Sequence, residues 1–180
     1  MNYYKCDVYR YYGRKSESFG QKICRPDGLR YMRIFRKCSK NSNEGVMGIV
    51  YRFRLKRLQK KTFIQIPRNT KIGKGFYIGH NGRIIVNEKT VIGDNCNIAT
   101  GVVIGQENRG KRKGCPTIGD SVWIGANAAI VGKIKIGNDV LIAPLTYVNF
   151  DVPSHSIVVG NPGRIIPREN ATEGYINRTV

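Results

Sequence analysis

Aliphatic residues recur every six positions over most of the chain after residue 62. The series consists of Ile66, Ile72, Ile78, Val86, Ile92, Ile98, Ile104, Ile118, Ile124, Ile130, Ile136, Ile142 and Val148. A helix repeats roughly every 3.6 residues and a strand about every two, so a period of six fits three strand repeats and no helix. It predicts a solenoid in which each hexapeptide forms one face of a triangular prism and three hexapeptides form one coil.

The residues between the aliphatic positions fit the corners of such a prism. The next residue is small in most repeats, which lets the chain turn with little steric hindrance. It is glycine or alanine at positions 73, 79, 93, 99, 105, 119, 125, 137 and 143. Because no single coil can bury its apolar side alone, the coils are expected to stack along one axis.

The first break in the repeat introduces a histidine. Ile78 and Val86 are eight positions apart instead of six, and the inserted stretch begins with His80. Loops that interrupt a regular scaffold often carry function, so His80 is a candidate catalytic residue. The alternative is that His80 only fills the insertion.

The second break predicts an extruded loop. Ile104 and Ile118 are fourteen positions apart, so residues 106–116 must leave the solenoid. The loop is rich in glycine and basic residues, which are Arg109, Lys111, Arg112 and Lys113. It is a second candidate for function.

These patterns divide the chain into three parts. Residues 1–61 form a basic N-terminal segment, in which apolar spacings of three and four predict short helices at 26–40 and 45–61. Residues 62–166 form the solenoid, and 167–180 form a polar tail.

Positive charge is concentrated in the N-terminal third. The net charge is +19, and residues 1–61 hold 17 Lys+Arg against 4 Asp+Glu, giving +13. Such a surface suits a nucleic acid, a membrane leaflet or a phosphorylated substrate, although a solvated charged face would look the same.

Cysteine and histidine usage argues against a disulfide framework or a metal site. The five cysteines show no CxxC spacing, and His80 and His155 are too few for a three-histidine zinc site. The start of the chain has no apolar signal segment, and no stretch is long enough to span a bilayer. We therefore expect a reduced protein of the cytoplasm that binds no metal.

Several motifs together resemble the serine acetyltransferase-like branch of the hexapeptide-repeat acyltransferases. They are the repeat itself, GHNGRIIVNE at 79–88, the extruded loop and VPSHSIVVGNPGRII at 152–166. The resemblance covers about residues 62–166. It implies a mainly β fold, a left-handed parallel β-helix with a short N-terminal α-helical segment. It also implies acetyl-CoA as donor, and homotrimers with active sites between subunits.

By this resemblance, His80 matches the histidine that takes a proton from the acceptor hydroxyl while its oxygen attacks the thioester. An alcohol is a poor nucleophile near neutral pH, and an imidazole can accept its proton. Gln65 stands where the serine enzymes have an aspartate that orients the histidine, so Gln65 or Glu88 is expected to orient it. Cys115 is expected to be a loop thiol with no nucleophilic role, because only His80 could activate it. His155 is expected to be a structural turn residue.

The acceptor side departs from the serine enzymes. Gly79 replaces an acidic residue, and Gly114-Cys115 replaces an Arg-His pair whose arginine would grip a carboxylate through paired hydrogen bonds. Arg112 or Lys113 could replace one of these contacts. The acceptor-side candidates are Gly79, Asn81, Arg112, Lys113 and Cys115.

On the donor side, the pantetheine arm is expected to run past small corner residues, where backbone groups are accessible. Corner geometry alone would also explain these residues. The candidates are Gly105, Gly125, Ala126 and Ala143 for the arm, and Arg164 and Arg168 for the phosphates.

The sequence therefore predicts an acetyl-CoA-dependent O-acetyltransferase acting on a saccharide in surface-polysaccharide biosynthesis. One alternative is a serine O-acetyltransferase of cysteine biosynthesis, and another is a non-catalytic hexapeptide-repeat binding protein. Peripheral contact with the inner membrane through the basic N-terminal segment remains open, and no nucleic-acid partner is expected.

Overall fold

In this computed structural model, which describes residues 2–40 and 45–180, the chain forms a parallel β-solenoid preceded by helices. Residue 1 and residues 41–44 of the predicted helical segment lie outside the described residues. The solenoid is the left-handed β-helix that the sequence predicted, and this prediction is confirmed.

Three sheets form the faces of the prism, and the chain visits sheets A, B and C in turn. Sheet A contains β1 (Ile64–Gln65), β4 (Ile84–Val86), β7 (Val103–Gly105), β10 (Ala129–Val131) and β13 (Tyr147–Val148). Sheet B contains β2 (Lys71–Ile72), β5 (Val91–Ile92), β8 (Thr117–Ile118) and β11 (Lys135–Ile136). Sheet C contains β3 (Tyr77–Ile78), β6 (Asn97–Ile98), β9 (Val122–Ile124), β12 (Val140–Ile142), β14 (Ser156–Val159) and β15 (Arg164–Pro167). The strands of each sheet pair in parallel, except in the final β14–β15 hairpin, which is antiparallel.

Four helices precede the solenoid: α1 (Tyr3–Tyr12), α2 (Phe19–Ile23), α3 (Asp27–Lys40) and α4 (Val46–Thr62). The sequence located α3 and α4 to within one residue, but it missed α1 and α2. The buried face of α1 includes Asp7 and Arg10, so α1 shows no apolar stripe to read. The α2 helix has only five residues.

Every aliphatic residue of the six-residue series is buried in the solenoid axis. Each isoleucine stacks on its equivalent in the next coil, as in the parallel register of Ile72 with Ile92 and of Ile92 with Ile118. Burying one such side chain contributes about 1.5–3 kcal/mol, so the repeated column is the main source of stability.

The first coil has an open edge, and side chains of the helices pair with its backbone. The Tyr31 hydroxyl donates to the Ile66 carbonyl at 2.9 Å and accepts from the Ile66 amide at 3.2 Å. On sheet C, the Tyr11 hydroxyl donates to the Ile78 carbonyl at 2.7 Å and accepts from the Ile78 amide at 3.1 Å. Side chains of the same chain therefore pair with edge backbone groups that another chain could otherwise bind.

A buried ion pair completes this closure on sheet B. Arg36 donates to both Asp7 carboxylate oxygens, at 2.9 and 3.0 Å, and to the Ile72 carbonyl at 2.7 Å. Asp7, which is fully buried, also accepts from the Phe76 amide at 2.9 Å. The pair joins α1, α3 and the first coil through hydrogen bonds that satisfy both charges.

The tail folds back along the outer face of sheet C. Tyr175 packs on Trp123 with ring centroids 4.9 Å apart, and the amide of the Asn97 side chain donates to the Tyr175 carbonyl at 3.1 Å. Arg178 then donates to the Tyr11 carbonyl at 2.6 Å, so the tail connects the last coil to α1.

The pairing of Tyr31 with the first coil can be tested by Tyr31→Phe. We expect this change to lower the free energy of unfolding by about 1–3 kcal/mol, because it leaves a buried amide and a buried carbonyl of Ile66 with weaker pairing. The free energy would be measured by urea unfolding. The control is Tyr147→Phe on β13, which is expected to change it by less than about 0.5 kcal/mol. Equal effects of the two changes would contradict the proposed role of Tyr31.

Candidate functional site

His80 lies in the loop that turns from sheet C to sheet A in the first coil. The loop follows β3 and precedes β4, and the His80 side chain is exposed. The next coil makes the same turn with two residues fewer, since Ile78 and Val86 are eight apart where Ile98 and Ile104 are six apart. His80 therefore occupies a bulge on an otherwise regular corner.

Neighbouring elements fix this loop on several sides. The Tyr11 hydroxyl forms hydrogen bonds with the backbone of Ile78, two residues before His80. The Gly82 amide donates to the Thr62 carbonyl at the end of α4, at 3.2 Å, and the Ile84 amide donates to the Phe63 carbonyl at 3.2 Å. Among the described residues, His80 itself makes no hydrogen bond or ion pair, so its ring is available to a ligand.

An acidic residue that the sequence analysis missed lies at this loop. The Asn81 side-chain amide donates to Asp27 Oδ2 at 2.7 Å, and Asp27 Oδ1 accepts from Arg30 at 3.0 Å. Asp27 is the first residue of α3, far from Asn81 in sequence, so no local motif reveals it. The fold thus brings a carboxylate to the residue next to His80, near the place where Gly79 lacks one.

The two residues expected to orient His80 lie on β1 and just after β4. Gln65 is exposed on β1, opposite Ile85 of β4. Glu88 follows β4, at the corner from sheet A to sheet B, whereas His80 precedes β4 at the corner from sheet C to sheet A. Within the described chain, neither Gln65 nor Glu88 forms a hydrogen bond with His80, and their orienting role stays a prediction.

The extruded loop forms a short hairpin at the corner from sheet A to sheet B. The Glu107 and Gly114 amides donate to each other's carbonyls, at 3.0 and 2.9 Å. The Lys133 amide of the next coil donates to the Arg112 carbonyl at 2.8 Å, which anchors the loop. A small cavity of about 320 Å³ lies between this loop and the solenoid, and it is lined by Glu107, Arg109, Lys111, Arg112, Val131 and Asn149.

Cys115 lies at the end of the extruded loop and is partly buried. Burial raises the pKa of the Cys115 thiol above its ordinary value. The thiol therefore stays protonated near neutral pH, where the thiolate is the nucleophilic form. The acceptor-side candidates Arg112, Lys113 and Cys115 thus lie at one corner, while Gly79 and Asn81 lie with His80 at another.

Packing requires a small residue at some of the donor-side candidates and leaves open surface at others. A Cβ at Gly125 would come within 2.6 Å of the Pro144 nitrogen, so packing of the next coil alone requires glycine there. A Cβ at Gly105 or Gly79 would meet only side-chain atoms, at 3.8 and 3.4 Å, which are tolerable distances. Their absent side chains leave surface open to a ligand.

Two of the corner amides are already paired. The Gly125 amide donates to the Ile142 carbonyl at 2.8 Å, and the Ala143 amide donates to the Val158 carbonyl at 2.9 Å. These amides cannot also bind a pantetheine arm, so any contact there must use other atoms. Ala126, next to Gly125, accepts from the Leu145 amide at 2.9 Å. Arg164 and Arg168 are exposed at the last coil, on and just after β15.

His155 belongs to a column of corner residues with left-handed backbone. Its φ is +57°, and the equivalent positions of other coils have φ between +51° and +67°. These positions are Gly75, Asn95, Ser121 and Asp139. His155 therefore occupies a turn position that recurs at the same corner in other coils.

No helix in the described part of the chain is long and apolar enough to cross a membrane. Among the same residues, no cluster of three or more His, Cys, Asp and Glu side chains could hold a metal ion.

Comparison with known proteins connects this geometry to a family. Residues 115–149 match the bacterial transferase hexapeptide (six repeats) family. Over 113 residues, or 63% of this chain, the sequence is 40% identical to a serine acetyltransferase of Staphylococcus aureus (strain Mu50) and 41% identical to one of Staphylococcus epidermidis. The match covers 53% of these relatives, so the chain spans about half their length.

Two solved structures extend the likeness to the N-terminal helices. The serine acetyltransferase of Neisseria gonorrhoeae in complex with serine superposes with a TM-score of 0.75 at 28% identity, over 91% of this chain and 67% of that one. The serine acetyltransferase of Brucella abortus strain S19 superposes with a TM-score of 0.78 at 27% identity, over 94% and 69%. The chain is similar to serine acetyltransferases in sequence and in fold. The resemblance seen in the sequence is thereby confirmed.

In this serine acetyltransferase-like chain, an ionised carboxylate holds the tail to the last coils. Asp139 accepts from the Thr172 amide at 3.0 Å, the Thr172 hydroxyl at 2.7 Å and the Ala171 amide at 3.0 Å, and it contacts His155 Nδ1 at 3.0 Å. Partial burial tends to raise the pKa of Asp139, but these hydrogen bonds outweigh it and hold the pKa below its ordinary value. A lowered pKa adds stability that is present above the ordinary carboxyl range and is lost as pH falls through the lowered pKa.

The Asp139→Asn variant tests this assignment, since asparagine tolerates the left-handed backbone. We expect it to lower the free energy of unfolding by about 1–2 kcal/mol near neutral pH. The difference from the original chain should shrink as pH falls, because Asp139 itself becomes protonated. Urea unfolding over a pH series would measure it. Thr172→Val, which removes one hydrogen bond and no charge, is the control, and a pH-independent loss in Asp139→Asn would contradict the assignment.

Proposed function

We propose that the chain is an acetyl-CoA-dependent O-acetyltransferase in which His80 is the general base. The observation that carries this proposal is the unpaired, exposed His80 ring on a loop held by Tyr11, α4 and Asp27. Such a ring is fixed in place by its backbone yet free to bind a proton from a substrate. The serine acetyltransferase relatives support the same reaction type.

The proposed reaction is a direct transfer. His80 accepts the proton of the acceptor hydroxyl as the oxygen attacks the thioester carbonyl carbon. The new C–O bond forms and the C–S bond breaks, so the coenzyme leaves as a thiolate that takes the proton back from the imidazolium. No acyl-enzyme is needed, which agrees with the protonated state expected of Cys115.

The active site requires a second copy of the chain. His80 and the loop 106–116 lie at different corners of the prism, at opposite ends of the strands of sheet A. A neighbouring copy that packs its extruded loop against the His80 corner would bring the acceptor-side candidates together. We propose a homotrimer on this ground, because a threefold arrangement lets every copy use both corners once.

Serine is the acceptor that the comparisons favour. The two relatives compared above are serine acetyltransferases, and one similar structure is a complex with serine. Asp27 adds a carboxylate beside Asn81, which can meet an ammonium group in place of the acid missing at Gly79. The saccharide acceptor predicted from the sequence has no support from the comparisons.

One observation keeps the saccharide as a second candidate. The loop carries Gly114-Cys115 where an arginine would hold the carboxylate of serine, and the Gly79 surface is open. A sugar hydroxyl needs neither charged contact. Serine and a saccharide differ as acceptors in whether binding requires the Asp27 carboxylate.

The role of His80 can be tested with His80→Asn. We expect kcat/KM for acetyl transfer to fall roughly 10²–10⁴-fold, because the proton acceptor is lost. Acetyl-CoA binding, measured by calorimetry, should change little. The control is His155→Asn, which removes the other histidine at a turn and should retain activity. Similar losses in the two variants, or full activity in His80→Asn, would overturn the proposal.

The acceptor can be tested by assaying L-serine against nucleotide sugars and oligosaccharides, with Asp27→Asn as the variant. If serine is the acceptor, KM for serine should rise roughly tenfold while kcat changes little, because one charged contact is lost. The control is Glu173→Gln, which removes an exposed carboxylate from the tail. Transfer to sugars alone, at rates that Asp27→Asn leaves unchanged, would reject serine in favour of the saccharide.

A further inference from the structure

The outward face of α4 is divided along its length into an apolar part and a basic part. At the start of the helix, Val46, Ile49 and Phe53 follow a helical spacing and are 78%, 60% and 67% exposed. At the end of the helix the exposed residues are Arg54, Lys56, Arg57, Lys60 and Lys61. The opposite side, with Tyr51 and Leu55, packs on the protein.

Nothing in the described chain neutralises or covers this face. The five exposed cations form no ion pair with a described carboxylate, and α4 contains no acidic residue. Large apolar side chains at this degree of exposure, in a helical row, are unusual for a solvated surface. The face therefore has the form of a binding surface with two kinds of contact.

We propose that α4 docks on the surface of an anionic lipid bilayer. The bilayer supplies both partners at once, since its anionic headgroups attract the basic end and its acyl region accepts Val46, Ile49 and Phe53. A second copy packing face to face would set cations against cations. A nucleic acid would satisfy the charges and leave the apolar row in water.

Docking by α4 would also orient the candidate active site. The carbonyl of Thr62, the last residue of α4, accepts from Gly82 in the His80 loop. A bilayer beneath α4 therefore lies near His80, which would favour an acceptor held at the membrane. This consequence rests on the proposed function, whereas the docking itself does not.

Vesicle co-sedimentation without acetyl-CoA tests the docking. The full chain is expected to bind vesicles of phosphatidylcholine with phosphatidylglycerol and to bind pure phosphatidylcholine weakly. Ile49→Ser with Phe53→Ser should reduce binding roughly tenfold, because the inserted side chains are lost. The matched control is Leu145→Ser with Ile166→Ser, which removes exposed apolar side chains from the solenoid and should leave binding unchanged.

The basic part of the face is tested by a triple change to glutamine at Arg57, Lys60 and Lys61. Partitioning onto the anionic vesicles should fall roughly 100-fold, since each cation contributes separately. The charge-matched control changes three exposed solenoid lysines, Lys89, Lys133 and Lys135, to glutamine. Thermal unfolding of each variant checks that it is folded.

The outcomes separate the alternatives. Loss of binding in both α4 variants, with both controls unaffected, supports the proposal. No binding by the full chain, or equal loss in the controls, overturns it. A fall in oligomer mass of the α4 variants without vesicle binding also overturns it and assigns the face to a second copy. Vesicle binding by a chain that lacks transferase activity would reject the proposed function and keep the docking.

Discussion

The open edge of the first coil is the constraint on which the rest of the structure depends. A solenoid buries its core by stacking coils, but the first coil has backbone groups with no coil beneath them. Tyr31, Arg36 and Tyr11 pair with these groups, one on each sheet, and all three come from the helices. The helical segment is thus part of the solenoid fold. Because the Tyr11 hydroxyl forms hydrogen bonds with the Ile78 backbone, it also fixes the start of the His80 loop.

The sequence predicted the solenoid because burial in it is periodic. Each coil needs an aliphatic side chain at the same inward position. The spacing of Ile92, Ile118 and Ile136 therefore identifies core residues directly from the sequence. The closing contacts do not repeat, and for that reason they left no pattern. Asp7 and Arg10 are buried polar residues of α1 whose partners lie in α3 and the solenoid, so α1 has no apolar face to recognise. The tail was predicted only as polar, because the ring contact with Trp123 and the hydrogen bonds to Asp139 that hold it form no repeating pattern.

The candidate site was predictable only where it interrupts the repeat. His80 and the loop 106–116 were found because a regular scaffold makes each break conspicuous. Asp27 could not be found in this way, since it reaches Asn81 through the packing of α3 on the first coil. The orienting partner of His80 stays a prediction. Gln65 and Glu88 were chosen by position relative to a motif, whereas the prism puts Glu88 at a different corner from His80.

In the proposed function, the helical segment adds Asp27 to acceptor-side candidates that otherwise lie on the solenoid. The sequence match to the serine enzymes covers 63% of the chain, while the structural likeness covers 91% or more in the two structures compared. The fold is therefore similar over a larger part of the chain than the sequence match covers. The helices supply Asp27 at the His80 loop and the charged face of α4, and in the proposed function Asp27 helps to select the acceptor. A change of acceptor would leave the coils intact, because the side chains that close the first coil are different residues from the proposed acceptor contacts.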